Sequence, residues 1–251
     1  RQQPMTTPLI DDARAIFAAA VHAVQADELL TEPLLDDALR GVRRVRVAGM
    51  GKAAMAMAGV FEARAEASIE DGVVVVPEGY PTHFPERLPR PRRIEVVEGG
   101  RPVPNRASVR AGRRLRALAE ACEAGERLLV LISGGGSALA VDPAPGVPLE
   151  AVQATVELLL ASGAPIEAIN AVRKHLSRIK GGQFVRAAAP ADVCALVVSD
   201  VVGDDLSTIA SGPTVPDPTT FADAVEALQT YGVWDRTPEP VRQRLAAGRE
   251  G

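Results

Sequence analysis

Residues 127–139 read Arg-Leu-Leu-Val-Leu-Ile-Ser-Gly-Gly-Gly-Ser-Ala-Leu. The apolar run from Leu128 to Ile132 predicts a buried parallel strand, since strands covered on both faces are continuously hydrophobic. Three glycines follow, bracketed by Ser133 and Ser137. A backbone without Cβ atoms can take positive φ and approach a ligand closely. Successive N–H groups in such a turn form a concavity suited to an anion, and a phosphate is its natural occupant where a helix begins just beyond. Without a ligand, the same residues make a tight strand-to-helix turn.

Outward from this segment, short apolar strands alternate with helical patterns. Strands are predicted at 45–48, 73–76, 94–97 and 193–199, and helices at 105–124, 148–162, 165–175, 220–231 and 238–247. A further helix starts near Gly182. Residues 9–30 carry Ile10, Ala13, Ile16, Phe17, Ala20, Val21 and Val24 at helical spacing, which predicts an amphipathic helix with one buried face. Four prolines mark residues 80–92 as a surface loop. The alternation implies an α/β fold, a Rossmann-like parallel sheet with helices on both faces. In such sheets ligands bind at the carboxyl ends of strands. The polar, glycine-bearing segments 49–52, 98–105, 133–137 and 199–205 all fall there.

Composition narrows the function classes. The chain has 251 residues, of which 47% are hydrophobic and 3% aromatic, so its core must be built from Ala, Val, Leu and Ile. A formal charge of −4 argues against nucleic acid as a partner. No apolar run approaches the ~18 residues that would span a bilayer, and no leader pattern is present. A cytoplasmic location is expected. Met5 reads as a natural start, with residues 1–8 a tail outside the fold. Cys122 and Cys194 lack metal-ligand spacing and are expected to be buried thiols.

Three further segments carry candidate chemistry. Gly49-Met-Gly51-Lys52-Ala-Ala54 matches a dinucleotide fingerprint only loosely, and Glu78 is a poor candidate for the ribose-binding acid. Lys52 is a cation at a strand-to-helix turn, where phosphates bind. Asn170 to Gly182 places five cationic or potentially cationic side chains, Arg173, Lys174, His175, Arg178 and Lys180, within eight positions. Arg173, Lys174 and His175 cannot share one helical face, so some are expected to be solvated. Ser199 to Asp205 puts carboxylates at a strand end, where they can hold Mg²⁺ or accept a proton. Asp205 can alternatively cap the turn that follows, and Thr219 or Thr220 can start the next helix.

Taken together, Gly-x-Gly-Lys-Ala-Ala, Pro-Val-Pro, Ser-Gly-Gly-Gly-Ser-Ala, Asn-x-Val-Arg-Lys-His-Leu-Ser-x-Ile-Lys-Gly-Gly and the long Ser199–Asp217 motif resemble the type II glycerate kinase family. Some of its members carry the older label of hydroxypyruvate reductase. The resemblance runs from about residue 10 to 247. It implies ATP-dependent phosphorylation of D-glycerate, usually to 2-phosphoglycerate, with ATP and Mg²⁺ bound. Residues 9–251 resemble the N-terminal α/β domain alone, because the family continues into a smaller C-terminal domain that completes the site. Little kinase activity is therefore expected from this chain by itself, with an exposed apolar patch where the second domain docks. A homodimer is a further expectation.

By position, the resemblance implies Lys52, Lys180 and Asp204 as catalytic residues. Gly49, Gly51, Ser133, Gly134, Gly135, Gly136 and Ser137 are expected at the nucleotide, the stretch Ser133 to Ser137 resembling the family's phosphate-holding loop, and Asn105, Asn170, Arg173 and Lys174 are expected at the acceptor. Asp200 and Asp204 would hold the metal. On physical grounds, Lys52 and Lys180 would balance charge on the transferring phosphoryl group. Arg101 and Asn105 depart from the family, which commonly has His and Asp at these places. Two rival readings are a nicotinamide-dependent hydroxypyruvate reductase and a non-catalytic nucleotide-binding remnant.

Overall fold

The computed structural model describes residues 8–65 and 68–250. The tail expected at the N-terminus lies outside the described residues except for Pro8, which starts the first helix. Five strands form one parallel sheet: β1 (Val45–Met50), β2 (Ile69–Pro77), β3 (Glu95–Gly99), β4 (Arg127–Ser133) and β5 (Asp192–Val198). Their order is β3-β2-β1-β4-β5. The chain winds outward in one direction through β2 and β3, then returns past β1 to β4. The switch point, where a ligand crevice is expected, is therefore the gap between the carboxyl ends of β1 and β4.

Helices connect and cover the strands. They are α1 (Pro8–Ala23), α2 (Ala26–Leu29), α3 (Glu32–Leu39), α4 (Ala54–Ala65), α5 (Arg106–Glu120), α6 (Gly136–Leu139), α7 (Leu149–Ala161), α8 (Ile166–His175), α9 (Gln183–Ala187), α10 (Phe221–Thr230) and α11 (Glu239–Glu250). Because side chains alternate along a strand, each strand feeds two cores. Val45, Val47, Leu129 and Leu131 pack under α4, with Met57 and Phe61. Ala48, Met50, Val130 and Ile132 pack under α5, with Leu115 and Leu118. A third core of Val156, Leu159, Val172, Leu228 and Leu245 joins α7, α8, α10 and α11. This helical group holds α8 beside the sheet's carboxyl edge.

Local chemistry explains two helix starts. Asn105 accepts from the Ser108 N–H at 3.0 Å while the Ser108 hydroxyl accepts from the Asn105 N–H, a reciprocal cap for α5. Thr220 and Asp223 do the same for α10, as the sequence allowed. On α4, the buried Glu62 carboxylate accepts from the N–H groups of Arg92, Arg93 and Ile94, which pins the proline-rich loop to the helix.

The N-terminal expectation fails. The pattern over 9–30 breaks between α1 and α2, and α1 buries no face: Ile16 and Phe17 are 72% and 71% exposed. Periodicity identified the helix but not its partner, because nothing among the described residues covers that stripe. Helix α3, with Leu35 and Ala38 buried, went unassigned because it is short. Cys194 is only half-buried, since β5 lies at the sheet edge, whereas Cys122 is buried as expected.

Candidate active site

At the switch point, β4 ends at Ser133 and the chain turns through Gly134 and Gly135 into α6. Gly135 has φ +90°, a left-handed conformation suited to glycine. No hydrogen bond among the described residues is donated by the backbone N–H of Gly135 or Gly136. The Lys52 N–H donates to the Gly134 carbonyl at 3.0 Å, joining the β1 turn to the β4 turn. The Lys52 side chain is exposed and runs alongside Gly135: a Cβ at Gly135 would lie 3.7 Å from its Cε.

The turn opens into a cavity of about 500 Å³ whose walls come from several strand ends. Arg101 enters after β3, Asp200 after β5, and Asn170 and Arg173 from α8. The four expected segments thus converge, the β1 turn contributing through Lys52 beside Gly135. Burial pulls the Arg173 pKa down, but a guanidinium stays charged. Two arginines and Lys52 therefore surround the glycine turn. Asp200 is the one carboxylate lining the cavity. It packs against Gly134, where an added Cβ would lie 2.0 Å from its Oδ2.

A hydrogen-bond chain fixes the far wall. Ser211 Oγ donates to Asn170 Oδ1 at 2.9 Å and lies 2.6 Å from Ser137 Oγ. A hydroxyl has one proton, so Ser137 is the donor of the second bond. The sequence marks Ser211–Thr220 only as a rigid, proline-punctuated loop that shapes the pocket wall, and does not foresee the hydrogen bonds of Ser211. Its backbone is unusual: Asp204, Ala210 and Ser211 have φ of +52°, +51° and +62°, and they are the only non-glycine residues with positive φ among those described. Such backbone strain gathers at functional sites.

Several implied site residues have other places. Gly49 and Gly51 serve strand packing: a Cβ on Gly49 would lie 2.7 Å from Val74 Cγ1, and one on Gly51 would lie 2.3 Å from the Ser133 carbonyl oxygen. Ser133 Oγ accepts from the Ala53 N–H at 2.9 Å beside the start of α4. Asn105 caps α5 and does not line the cavity. Lys174 is buried against Asp217 at 3.2 Å, pointing away from the cavity. His175 is also largely buried, its ring edge-on to Phe221, so neither Lys174 nor His175 is solvated as expected. Asp204 sits in an exposed turn and does not line the cavity.

Lys180 is the clearest reassignment. It is 3% exposed, and its Nζ donates to the carbonyls of Ser137 at 2.7 Å and Ala140 at 3.2 Å. Burial, with Arg173 as the lesser cause, pulls its pKa down to about 7. A lysine so engaged holds the glycine loop from behind; it does not reach into the cavity to balance a ligand's charge. Asp205 caps the turn after β5, accepting from the Ser207 N–H at 2.9 Å and the Thr208 hydroxyl at 2.7 Å. The Thr208 bond, then those from Ser207, hold its pKa below the usual carboxylate range.

The fit to a nucleotide and its metal can be weighed from these groups. An anion finds left-handed glycine backbone, two arginines and a lysine. For a metal, no group of three or more His, Cys, Asp or Glu among the described residues is arranged to hold one. Asp200 alone suits Mg²⁺ only where phosphate oxygens and water complete the shell, which is how that ion usually binds at phosphate sites. Glu78, considered for a nicotinamide ribose, lines a separate cavity with Glu98 and Asn105.

Residues 12–246 match the family model described as "Domain of unknown function (DUF4147)". The chain is 41% identical over 208 residues to "Glycerate 2-kinase" of Pyrococcus horikoshii, covering 83% of this chain and 45% of that protein. It is 42% identical over 237 residues to "Putative hydroxypyruvate reductase" of Agrobacterium vitis, covering 94% and 51%. The crystal structure of glycerate kinase from Thermotoga maritima superposes with a TM-score of 0.81 at 40% identity, over 93% of this chain and 54% of that one. The chain thus spans about half the length of the curated relatives it matches.

Proposed function

The chain belongs to the DUF4147 family, and on that premise we propose that it is the nucleotide-binding half of a glycerate 2-kinase, which transfers the γ-phosphoryl group of ATP to D-glycerate. The observation that carries this reading is the Gly134–Gly136 turn at the β1/β4 switch point, with Lys52, Arg101 and Arg173 around it and Asp200 on its rim.

The phosphate chain lies against the glycine backbone. Lys52 and Arg173 offset the charge that spreads over the transferring group, the main catalytic device in phosphoryl transfer. The acceptor hydroxyl oxygen bonds to the γ-phosphorus as the bond to the β,γ-bridging oxygen breaks. Asp200 is the group of this chain placed to take the hydroxyl proton, or to bind Mg²⁺ together with the phosphates. Mg²⁺, when bound, supplies charge neutralisation on the phosphate oxygens. Lys180, Ser211 and Asn170 position: they fix Ser137 and its carbonyl from behind.

The remaining length found in the relatives supplies, on this reading, the other wall of the cleft. Exposed apolar side chains at the cavity mouth (Ile166) and on the turns after β5 (Val202, Leu206), and those on α1, agree with surfaces that a second domain covers. Placement errors of about 1 Å can cost ~10²-fold in rate, so residues 1–251 alone should turn over slowly.

Incubation of the chain, joined to the corresponding C-terminal length of a relative, with ATP and D-glycerate tests the activity. Phosphorus NMR should show 2-phosphoglycerate and ADP. Hydroxypyruvate-dependent NADH oxidation without phosphoryl transfer would support the reductase instead.

A further inference from the structure

A second cavity, of about 420 Å³, opens where α5, α8, α9 and α11 meet, and it shares no lining residue with the Gly135 cavity. Its cations outnumber their partners. Lys174 is paired with Asp217, and Arg116 with Asp142 and Glu120. Arg178 approaches Asp142 at only 4.0 Å. Arg186 is exposed, and its side chain has no hydrogen bond or ion pair among the described residues. Arg244 has a buried Nε with no acceptor, and its guanidinium lies 5.2 Å from the centre of the Phe221 ring. A buried donor without an acceptor is costly, and each such case calls for an explanation. The excess is local, since the whole chain carries a net charge of −4.

We propose that this cavity binds a small phosphate-bearing anion, gripped by Arg186 and Arg244 with Arg178 at its side. Guanidinium forks match phosphate oxygens in bidentate geometry, and the volume lies in the range of small-molecule sites. The Arg244 side chain donates no hydrogen bond to the described residues, and the anion offers its guanidinium an acceptor. Lys180 forms part of the same wall while its Nζ holds Ser137, so the ligand would sit beside the residue that braces the glycine loop. The inference stands on these groups and does not depend on the catalytic reading.

Calorimetry with sodium pyrophosphate and with glycerol 3-phosphate tests it, in the wild-type chain and in Gly135→Asp, which blocks the first cavity. Binding should persist in Gly135→Asp and weaken about tenfold or more in Arg186→Gln, an exposed position whose substitution leaves the fold intact. Arg186→Gln/Arg244→Gln should bind more weakly still, and Arg249→Gln should match wild type. Ring-proton signals of His175 and Phe221 should shift during the titration, a readout of this cavity that does not require the Gly135→Asp protein to fold. Tighter binding of glycerol 3-phosphate would assign an organic phosphate, and tighter binding of pyrophosphate an inorganic one. Absence of any shift in the His175 and Phe221 signals, or unchanged affinity in Arg186→Gln, would overturn the proposal.

Discussion

Replacing Lys180 with methionine removes a buried amine while keeping most of its volume. The native Nζ donates to the Ser137 and Ala140 carbonyls, so Lys180→Met leaves both without that donor. The loss should be about 2–6 kcal/mol, from roughly 1–3 kcal/mol for each of the two unsatisfied buried carbonyls. The pH dependence is more diagnostic. The Lys180 pKa falls from the ordinary 10.5 to about 7 in the folded chain. Between those values the unfolded chain holds a proton that the native chain lacks, so this group makes stability rise with pH. From about pH 7 to pH 9 the gain attributable to Lys180 is about 2 kcal/mol. Urea unfolding of both proteins at several pH values in this window gives the difference directly. The wild-type curve should rise relative to Lys180→Met; parallel curves would refute the assignment of Lys180 as a desolvated amine behind the glycine loop.

Five other substitutions probe the site and its frame. In a catalytically complete protein, Asp200→Asn and Lys52→Ala should each lower kcat by about 10²–10³ with little change in melting temperature, whereas Asp204→Asn should stay near wild type; steady-state rates decide, and the reverse ranking of the two aspartates would contradict the placement of Asp200 in the cavity. Gly51→Ala forces a Cβ to within 2.3 Å of the Ser133 carbonyl and hydroxyl oxygens, so denaturant melts should show a loss of at least about 2 kcal/mol; a neutral result would mean that β1 and β4 are not so closely apposed. Glu62→Gln turns an amide donor toward the N–H groups of Arg92, Arg93 and Ile94; a loss of about 1–3 kcal/mol is expected by the same measurement, with faster proteolysis of the loop over residues 84–93.

Much of the architecture was legible because it rests on local pattern. Continuous apolar runs such as Val73–Val76 and Leu128–Ile132 can be satisfied only in a sheet covered on both faces. The convergence of segments 98–105, 133–137 and 199–205 on one cavity followed from strand polarity alone. Direction within a motif was not legible. Arg173 and Lys174 are adjacent, yet one lines the cavity and the other pairs with Asp217 from a loop 43 residues away. Lys180 looked like a ligand-facing cation because spacing reports position along the chain and not depth. Ser211 was legible as the start of a rigid loop at the pocket wall, but not its hydrogen-bonding role, which depends on a left-handed backbone that no local signal specifies. Helix α1 was misread for the complementary reason: an apolar stripe announces that something covers it, without saying what.

That the Gly134–Gly136 turn holds a nucleotide's phosphates is tested most directly by calorimetric titration of Mg-ATP into the wild-type chain and into Gly135→Asp. Gly135 has room for a Cβ, with no neighbouring heavy atom closer than 3.7 Å, but its φ of +90° is one that an L side chain adopts only under strain, so the substitution adds a negative charge to the turn at a backbone cost of about 1–2 kcal/mol. Wild type should bind, and Gly135→Asp should bind at least about tenfold more weakly while still unfolding cooperatively in denaturant. Absence of ATP binding to the folded wild-type chain, or equal affinity in the two proteins, would contradict the assignment.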